Sequence, residues 1–186
     1  MIGIDEVGRG AWAGPLLVVA ARAKTTLPLG LKDSKKLSKK RRNDLSPKIV
    51  ETCDVGEGWV TNEEIDQIGL TEAMKLGVAR ALKSIDAKYD EQIIMDGLIN
   101  YCEGNFTNVQ LEAKADDRYP VVSAASIYAK VARDNFMTSL GAGYIKYEFD
   151  KHVGYGTKLH MEKMKTYGVS DIHRLSFEPV KKFANL

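Results

Sequence analysis

The sequence predicts an α/β fold in which helices cover both faces of a mixed β-sheet. Three strand-like segments come first along the chain, and a helix, a strand and a second helix follow, which favours a mixed sheet over an all-parallel one. At 186 residues, with 44% of them hydrophobic, the chain is long enough for one sizeable core and short for two enzymatic domains. We therefore expect one compact domain with a small appendage.

The predicted strands are short, largely apolar runs bounded by glycine or by polar residues. The first two are joined through the turn Gly8-Arg9-Gly10, and the fourth ends in the acid Asp96. The runs cover residues 2–7, 16–23, 56–61, 92–96 and 109–111.

Four helices are predicted from apolar periodicity and capping residues. Thr71 can cap the second, in which Met74, Val78 and Ala81 recur at helical spacing, and Pro120 suits the first turn of the third. The predicted helices span residues 39–51, 71–85, 120–140 and 157–167.

Composition argues against a membrane protein and against a disulfide-rich one. The longest apolar stretch, residues 15–21, is far shorter than a membrane span, and Met1 runs directly into a strand-like segment without a charged leader. Cys53 and Cys102 lack the spacing of a zinc site or redox pair, so we expect reduced thiols without a role. A soluble cytoplasmic protein is the resulting expectation.

Basic residues are concentrated in one segment, residues 32–42, where seven side chains are Lys or Arg and one is Asp. The whole chain has a formal net charge of only +2, so the remainder is mildly acidic. A basic patch on an acidic body is expected for contact with a polyanion. A solvated lysine-rich loop is the alternative.

Four acids occupy positions where an acidic side chain has little structural justification. Asp5 and Glu6 lie inside an apolar strand. Asp96 ends another strand, and Asp116 shortly precedes a helix. Buried carboxylates must be paired, protonated or bound to a cation, and carboxylates at strand ends suit a divalent cation such as Mg²⁺. Two alternatives stay open: Asp117 could replace Asp116, or the acids could cap turns and helices.

The geometry of a strand restricts the first two acids. Adjacent strand residues point to opposite faces, so Asp5 and Glu6 can share a site only where the strand ends or distorts. The glycine turn after them makes this reasonable. A further acid, Asp134, is expected to pair with Lys130 four residues earlier on the same helix.

Several ordered blocks of sequence carry a family resemblance. They are GIDEVGRG at 3–10, AGP at 13–15, KDSKKLS at 32–38, MDG at 95–97, KAD at 114–116, SAASIYAKVARD at 123–134, HVGYGT at 152–157 and IHR at 172–174 with SF at 176–177. Together they resemble the ribonuclease HII family, the type 2 ribonucleases H. Trp12, Leu98 and Ala115 depart from residues common in bacterial members, which affects pocket detail but none of the acids.

The resemblance implies a ribonuclease H-like fold with a five-stranded sheet. Residues 1–140 would form the catalytic domain, and residues 141–186 a C-terminal helical appendage contributing to the substrate groove. The implied activity is hydrolysis of the RNA strand of RNA/DNA hybrids and cleavage 5′ to single ribonucleotides in duplex DNA, leaving 3′-hydroxyl and 5′-phosphate ends. Two Mg²⁺ or Mn²⁺ ions would be held by the catalytic acids Asp5, Glu6, Asp96 and Asp116.

The same resemblance implies a set of substrate contacts. The glycine turn would approach the ribose whose 2′-hydroxyl marks RNA, a tyrosine ring would stack beneath the adjoining sugar, and a serine and two lysines would hold phosphates. A tyrosine packed into an interdomain groove is the alternative for the ring. The implied residues are Gly8, Arg9, Gly10, Ser34, Lys35, Lys36 and Tyr155.

The remaining candidates carry weaker implications. His152, His160 and His173 lie outside the acid set and are expected to be structural, although His173 is a candidate for substrate contact. Two functions other than that of a nuclease stay open for the whole chain: a catalytically silent hybrid-binding protein, and a recombinase or resolvase of related fold. The presence of all four acids argues against the first. We expect a monomer with nucleic acid, and no membrane, as its partner.

Overall fold

A computed structural model describes residues 1–31 and 34–184. Lys32 and Asp33 of the basic segment lie outside these described residues. The strands run in the order β3-β2-β1-β4-β5; β2 is antiparallel to both its neighbours, and β1, β4 and β5 are parallel. They are β1 (Ile2–Val7), β2 (Leu16–Ala23), β3 (Cys53–Val60), β4 (Ile93–Asp96) and β5 (Val109–Glu112). The predicted mixed five-stranded sheet is confirmed.

Seven α-helices occur in the described ranges. They are α1 (Lys39–Thr52), α2 (Asn62–Ser84), α3 (Ala115–Arg118), α4 (Pro120–Leu140), α5 (Phe149–His152), α6 (Lys158–Tyr167) and α7 (Glu178–Lys181). Three short 3₁₀ helices span Ser34–Lys36, Gly141–Gly143 and Ile145–Tyr147. The predicted first, third and fourth helices agree with α1, α4 and α6 to within one residue at each end.

The predicted start of α2 at Thr71 is wrong. The helix begins at Asn62, because the hydroxyl of Thr61 accepts from the Glu64 amide and the Glu64 carboxylate accepts from the Thr61 amide. This capping box satisfies two N–H groups at the helix end. Gly69, with a φ of 77°, interrupts the helix shortly before Thr71, and this interruption concealed the first two turns from a periodicity analysis.

The two faces of the sheet are buried against different helices. On one face, β1, β2 and β4 pack against α2. On the other face they pack against α1 and α4, where the alanines at 124, 125 and 129 are fully buried. A Cβ on Gly3 would lie 2.5 Å from the backbone of Val121, so α4 rests directly on β1.

The segment after α4 folds back onto the connection between β1 and β2. Its apolar residues Tyr147, Phe149 and Ile172 form a third core cluster with Ala13 and Met137. Backbone hydrogen bonds from Trp12 to the carbonyl of Gly154 and from Arg174 to that of Trp12 join the two segments.

Two sequence expectations concern the chain as a whole. Cys53 and Cys102 are free thiols, as predicted. Among the described residues, no helix has both the length and the apolar character required to cross a bilayer.

Helix α2 approaches β3 closely because glycines face each other. A Cβ on Gly58 would lie 1.8 Å from the carbonyl oxygen of Gly77, and one on Gly77 would lie 2.6 Å from a methyl of Val18. Any larger side chain at either glycine must separate helix and strand.

Gly58→Ala should lower the free energy of unfolding by about 1–3 kcal/mol, because the added methyl forces this separation. Urea denaturation measures the difference. Gly104→Ala is the matched control, since a Cβ there meets no atom within 4 Å. The control should stay within about 0.5 kcal/mol of the parent protein. Equal stability of the two variants would contradict the close approach.

Candidate active site

A cleft of about 400 Å³ opens at the carboxyl end of β1. It brings together side chains from distant parts of the sequence. Of the predicted site residues, Lys36 and Asp116 are outside its lining and the others form part of it. The lining residues are Asp5, Glu6, Val7, Gly8, Arg9, Gly10, Ser34, Lys35, Arg42, Asp96, Ser126, Lys130 and Tyr155.

Two of the acids lie at the ends of neighbouring parallel strands. Asp5 is near the end of β1 and Asp96 is the last residue of β4. Glu6 follows Asp5, and both side chains line the cleft although a regular strand would direct them to opposite faces. The strand ends directly afterwards at Gly8, whose φ is +84°. The strand end near the glycine turn therefore brings the two acids into one site.

Asp116 is placed next to this group by α3. The Ala115 amide donates to the Asp96 carboxylate at 2.8 Å, and Asp116 itself is 6% exposed. Its neighbour Asp117 forms an ion pair with Lys36 at 2.6 Å, which favours Asp116 as the site acid. Within the described ranges, no three acidic, histidine or cysteine side chains are already arranged as a metal shell.

Burial and repulsion between carboxylates raise the pKa of the two acids on β1. Burial, with a further contribution from the charge of Glu6, raises the pKa of Asp5 to about 8. Burial also raises the pKa of Glu6, Asp96 adds to the effect, and Arg9 opposes it. A hydrogen bond from Ser126 acts in the opposite direction on Asp5. The cleft therefore has the electrostatics of a site that favours added positive charge.

The glycine turn presents backbone N–H groups at the edge of the cleft. The Gly8 amide donates to the Tyr155 hydroxyl at 3.1 Å, and a Cβ on Gly8 would lie 2.1 Å from the Nε atom of Arg133. Arg9 and Gly10 are exposed, and among the described residues their amides have no hydrogen-bond acceptor. The turn can therefore donate hydrogen bonds to a ligand.

Two buried arginines donate hydrogen bonds to backbone carbonyls in and around the glycine turn. Arg133 donates to the carbonyls of residues 13, 15 and 153, and Arg174 donates to those of residues 9 and 14. Burial lowers the pKa of both guanidinium groups, to about 9 for Arg174. The Nη2 atom of Arg174 has no hydrogen-bond acceptor among the residues that the structure describes, and the guanidinium lies 5.2 Å from the centroid of the Phe177 ring.

The basic segment contributes both structure and exposed charge. Arg42 donates to the carbonyls of Ser34 and Leu37, so it holds the 3₁₀ helix in place. The Ser34 hydroxyl is 2.9 Å from that of Ser126 on α4. Lys35 lines the cleft, whereas Lys39, Lys40 and Arg41 are exposed on α1.

Sequence reasoning placed Arg42 only in the basic patch and missed three other lining residues: Val7, Ser126 and Lys130. The last two are four residues apart on α4, and polar residues at that spacing on an alanine-rich buried helix were an available signal. Lys130 pairs with Asp134 at 2.7 Å, as predicted, and its ammonium also lies 5.6 Å from the centroid of the Tyr155 ring.

The three histidines lie together beneath Tyr155, outside the cleft lining. The rings of His152 and His160 stack with centroids 4.3 Å apart, and His160 contacts His173. This agrees with the expected structural role. His173 is 1% exposed, which leaves no surface for the substrate contact considered for it.

Comparison with known proteins identifies the family to which the chain belongs. The family model described as Ribonuclease HII matches residues 2–180. Ribonuclease HII of Campylobacter concisus is 43% identical over 98% of this chain and 95% of its own length.

Two solved structures have the same fold over nearly the whole chain. Ribonuclease HII in the PCNA complex from Archaeoglobus fulgidus superposes with a TM-score of 0.82 at 28% identity, covering 98% of this chain and 95% of that one. Ribonuclease H2 from Pyrococcus horikoshii gives 0.79 at 29% identity, covering 99% and 96%. With its acidic cleft and glycine turn, the chain belongs to the ribonuclease HII family and is a metal-dependent ribonuclease H acting on RNA/DNA hybrids.

Proposed function

We propose that Asp5, Glu6, Asp96 and Asp116 hold two divalent cations, Mg²⁺ or Mn²⁺, and that the RNA strand is cut to leave a 3′-hydroxyl and a 5′-phosphate. The observation that carries this proposal is that three of these carboxylates line one cleft, where burial and the nearby carboxylate charge raise the pKa of Asp5 and Glu6. The fourth follows the amide that is bonded to Asp96.

The donor atoms fit such ions. Carboxylate oxygens are hard ligands, which Mg²⁺ and Mn²⁺ prefer, and the cleft lacks the thiolates that would favour softer metals. When bound, the two ions would supply an activated water and neutralise charge on the reacting phosphate. The protein's own part is to hold three carboxylates near the ends of β1 and β4 and a fourth on α3, and to keep the RNA strand against them.

Recognition of RNA is assigned to the glycine turn. A ribose differs from a deoxyribose by the 2′-hydroxyl, which can accept a hydrogen bond from a backbone amide. The amides of Arg9 and Gly10 are available for this contact, and Gly10 has no atom near the position of a Cβ, so a sugar could approach the backbone. Only small residues on either side of Arg9 permit that approach.

Recognition of the following nucleotide is assigned to Tyr155. Its hydroxyl is fixed by the Gly8 amide, and its ring forms part of the cleft wall. A sugar packed flat against the ring would have little room for an added 2′-hydroxyl. Turn and ring together would select an RNA-to-DNA step, so a single embedded ribonucleotide would be cut on its 5′ side.

Phosphate binding and domain division complete the proposal. Ser34, Lys35 and Lys36 would hold phosphates of the hybrid backbone in a salt-sensitive contact. Residues 1–140 would supply the acids and residues 141–186 would supply Tyr155 to the groove. We propose a monomer as the active species.

Replacing a site acid by its amide should remove turnover. Asp96→Asn and Asp116→Asn should each lower the rate of hybrid cleavage by at least about 100-fold. An amide is a poorer ligand than a carboxylate for the divalent cations that would stabilise the charge on the reacting phosphate. EDTA should abolish cleavage by the parent protein. Asp117→Asn is the matched control and should stay within about threefold of the parent, since that acid pairs with Lys36. Near-parental activity of Asp96→Asn in Mg²⁺ would refute the assignment.

Metal binding should release protons. The raised pKa of Asp5, about 8, means that its carboxyl is largely protonated in the metal-free protein at pH 6 and 7. The proton must leave when a cation binds, so Mn²⁺ affinity should rise by about tenfold per pH unit below pH 8 and level off above it. Calorimetry in two buffers of different ionisation enthalpy measures the protons released. An affinity that is independent of pH would contradict this prediction.

Tyr155→Ala should lower cleavage at a single ribonucleotide by about tenfold more than cleavage of a long hybrid, because only the first substrate depends on one RNA-to-DNA step. Tyr155→Phe should retain part of the activity, since the ring remains while the acceptor for the Gly8 amide is lost. Single-turnover rates of both variants on both substrates provide the measurement. Equal rates for Tyr155→Ala and the parent protein would exclude junction sensing by the tyrosine.

A further inference from the structure

We propose that His160 is a positioning residue that fixes the backbone of Tyr155, and so the orientation of its ring in the cleft, through a directed chain of histidine hydrogen bonds. The consequence for substrate choice rests on the function proposed above for Tyr155. The positioning itself rests on geometry among buried residues.

The chain of hydrogen bonds begins in the loop that precedes His173. The Nδ1 atom of His173 lies 2.9 Å from the Ser170 amide and 2.8 Å from the Ser170 hydroxyl. The Nε2 atom of His173 lies 3.0 Å from the Nε2 atom of His160, and the Nδ1 atom of His160 lies 3.0 Å from the carbonyl oxygen of Tyr155. These contacts connect the Ser170 loop to the tyrosine.

The partners allow one arrangement of protons along this chain. The Tyr155 carbonyl only accepts, so Nδ1 of the neutral His160 ring must carry the proton and its Nε2 carries none. His173 must then carry its proton on Nε2, and its Nδ1 accepts from Ser170.

Burial keeps both rings neutral, as this arrangement demands. His160 is 0% exposed, and burial lowers its pKa to about 3 and that of His173 to about 4. Proton transfer is therefore not the function of the chain at neutral pH. Its effect is to give each hydrogen bond a fixed direction.

The neighbouring histidine restrains the residue before Tyr155. The Gly154 amide donates to Nδ1 of His152 at 3.3 Å, and the other ring nitrogen of His152 is 2.9 Å from the carbonyl of Tyr147. The stacked rings of His152 and His160 thus form hydrogen bonds with two consecutive residues, Gly154 and Tyr155.

Tyr155 is consequently fixed at both ends. Its carbonyl accepts from His160 and from the Thr157 amide, and its hydroxyl accepts from the Gly8 amide. An apolar core residue in place of His160 would leave a buried N–H of His173 without an acceptor. The His160 ring therefore sets the direction of the hydrogen bonds on either side of it, and it also fills space in the core.

Two amide variants separate the two ends of the His160 ring. The side-chain nitrogen of Asn lies near the Nδ1 position, so His160→Asn can still donate to the Tyr155 carbonyl. The longer Gln reaches the Nε2 position, so His160→Gln contacts His173 instead and releases the tyrosine. The pair is matched in chemistry and differs in which contact it retains.

The first readout is direct and independent of catalysis. Hydrogen exchange of the Gly8 amide reports its bond to the Tyr155 hydroxyl. Exchange should be at least about tenfold faster than in the parent protein for His160→Gln and within about threefold for His160→Asn. Equal exchange in the two variants would overturn the proposal. Retained cleavage of long hybrids by both variants would show that the fold is intact.

The second readout is the ratio of single-ribonucleotide to long-hybrid cleavage. His160→Gln should lower this ratio by about tenfold and His160→Asn by less than about threefold. If Tyr155→Ala leaves the ratio unchanged while Gly8 exchange still separates the variants, the positioning role holds and the proposed junction sensing fails. A changed ratio in Tyr155→Ala with no difference in Gly8 exchange between the variants overturns the positioning role alone.

A measurement on the parent protein covers the case in which His160→Gln does not fold. Nitrogen-15 NMR of the imidazole rings distinguishes the two neutral tautomers. At pH 7 it should find His160 protonated on Nδ1 and His173 on Nε2. A proton on Nε2 of His160, or a charged ring, would refute the proposal.

Discussion

Two buried guanidinium groups hold together the parts of the chain that form the cleft. Arg133 comes from α4 and Arg174 from the segment near the end of the chain, and both are 0% exposed. Their partners are backbone carbonyls of the β1–β2 connection and of residue 153. A buried charge is tolerated only where dipoles or counter-charges compensate it, so these carbonyls must stay where they are. The shape of the glycine turn and the location of residues 153–155 both follow from that constraint.

The arginines do not neutralise the acids that lie near them. Burial raises the pKa of Asp5 and lowers that of Arg174, which shows that each charge is disfavoured where it stands. The arginines direct their donors into the backbone rather than towards the carboxylates. The cation that does act on one of them is Arg9, which lies 3.6 Å from the Glu6 carboxylate and opposes the rise in its pKa.

Much of the fold was predictable because it depends on local patterns. The strands, α1, α4 and α6 follow from apolar runs and caps, and acids within apolar strands indicated the cleft. The start of α2 was missed because Gly69 interrupts its periodicity, although the capping box at Thr61 and Glu64 was visible in the sequence. The arginine and histidine contacts could not have been found this way. Arg133 binds carbonyls more than a hundred residues away, and such bonds leave no spacing pattern in the sequence.

The bond between the Gly8 amide and the Tyr155 hydroxyl joins residues 147 positions apart. During synthesis the acids of β1 and β4 and the whole of α4 leave the ribosome before the tyrosine does. The sheet can therefore form while the wall that faces the glycine turn is still missing, because contacts of long sequence separation are made last. A nascent chain would therefore hold its β1 and β4 carboxylates before it acquires the residue that bonds to the glycine turn.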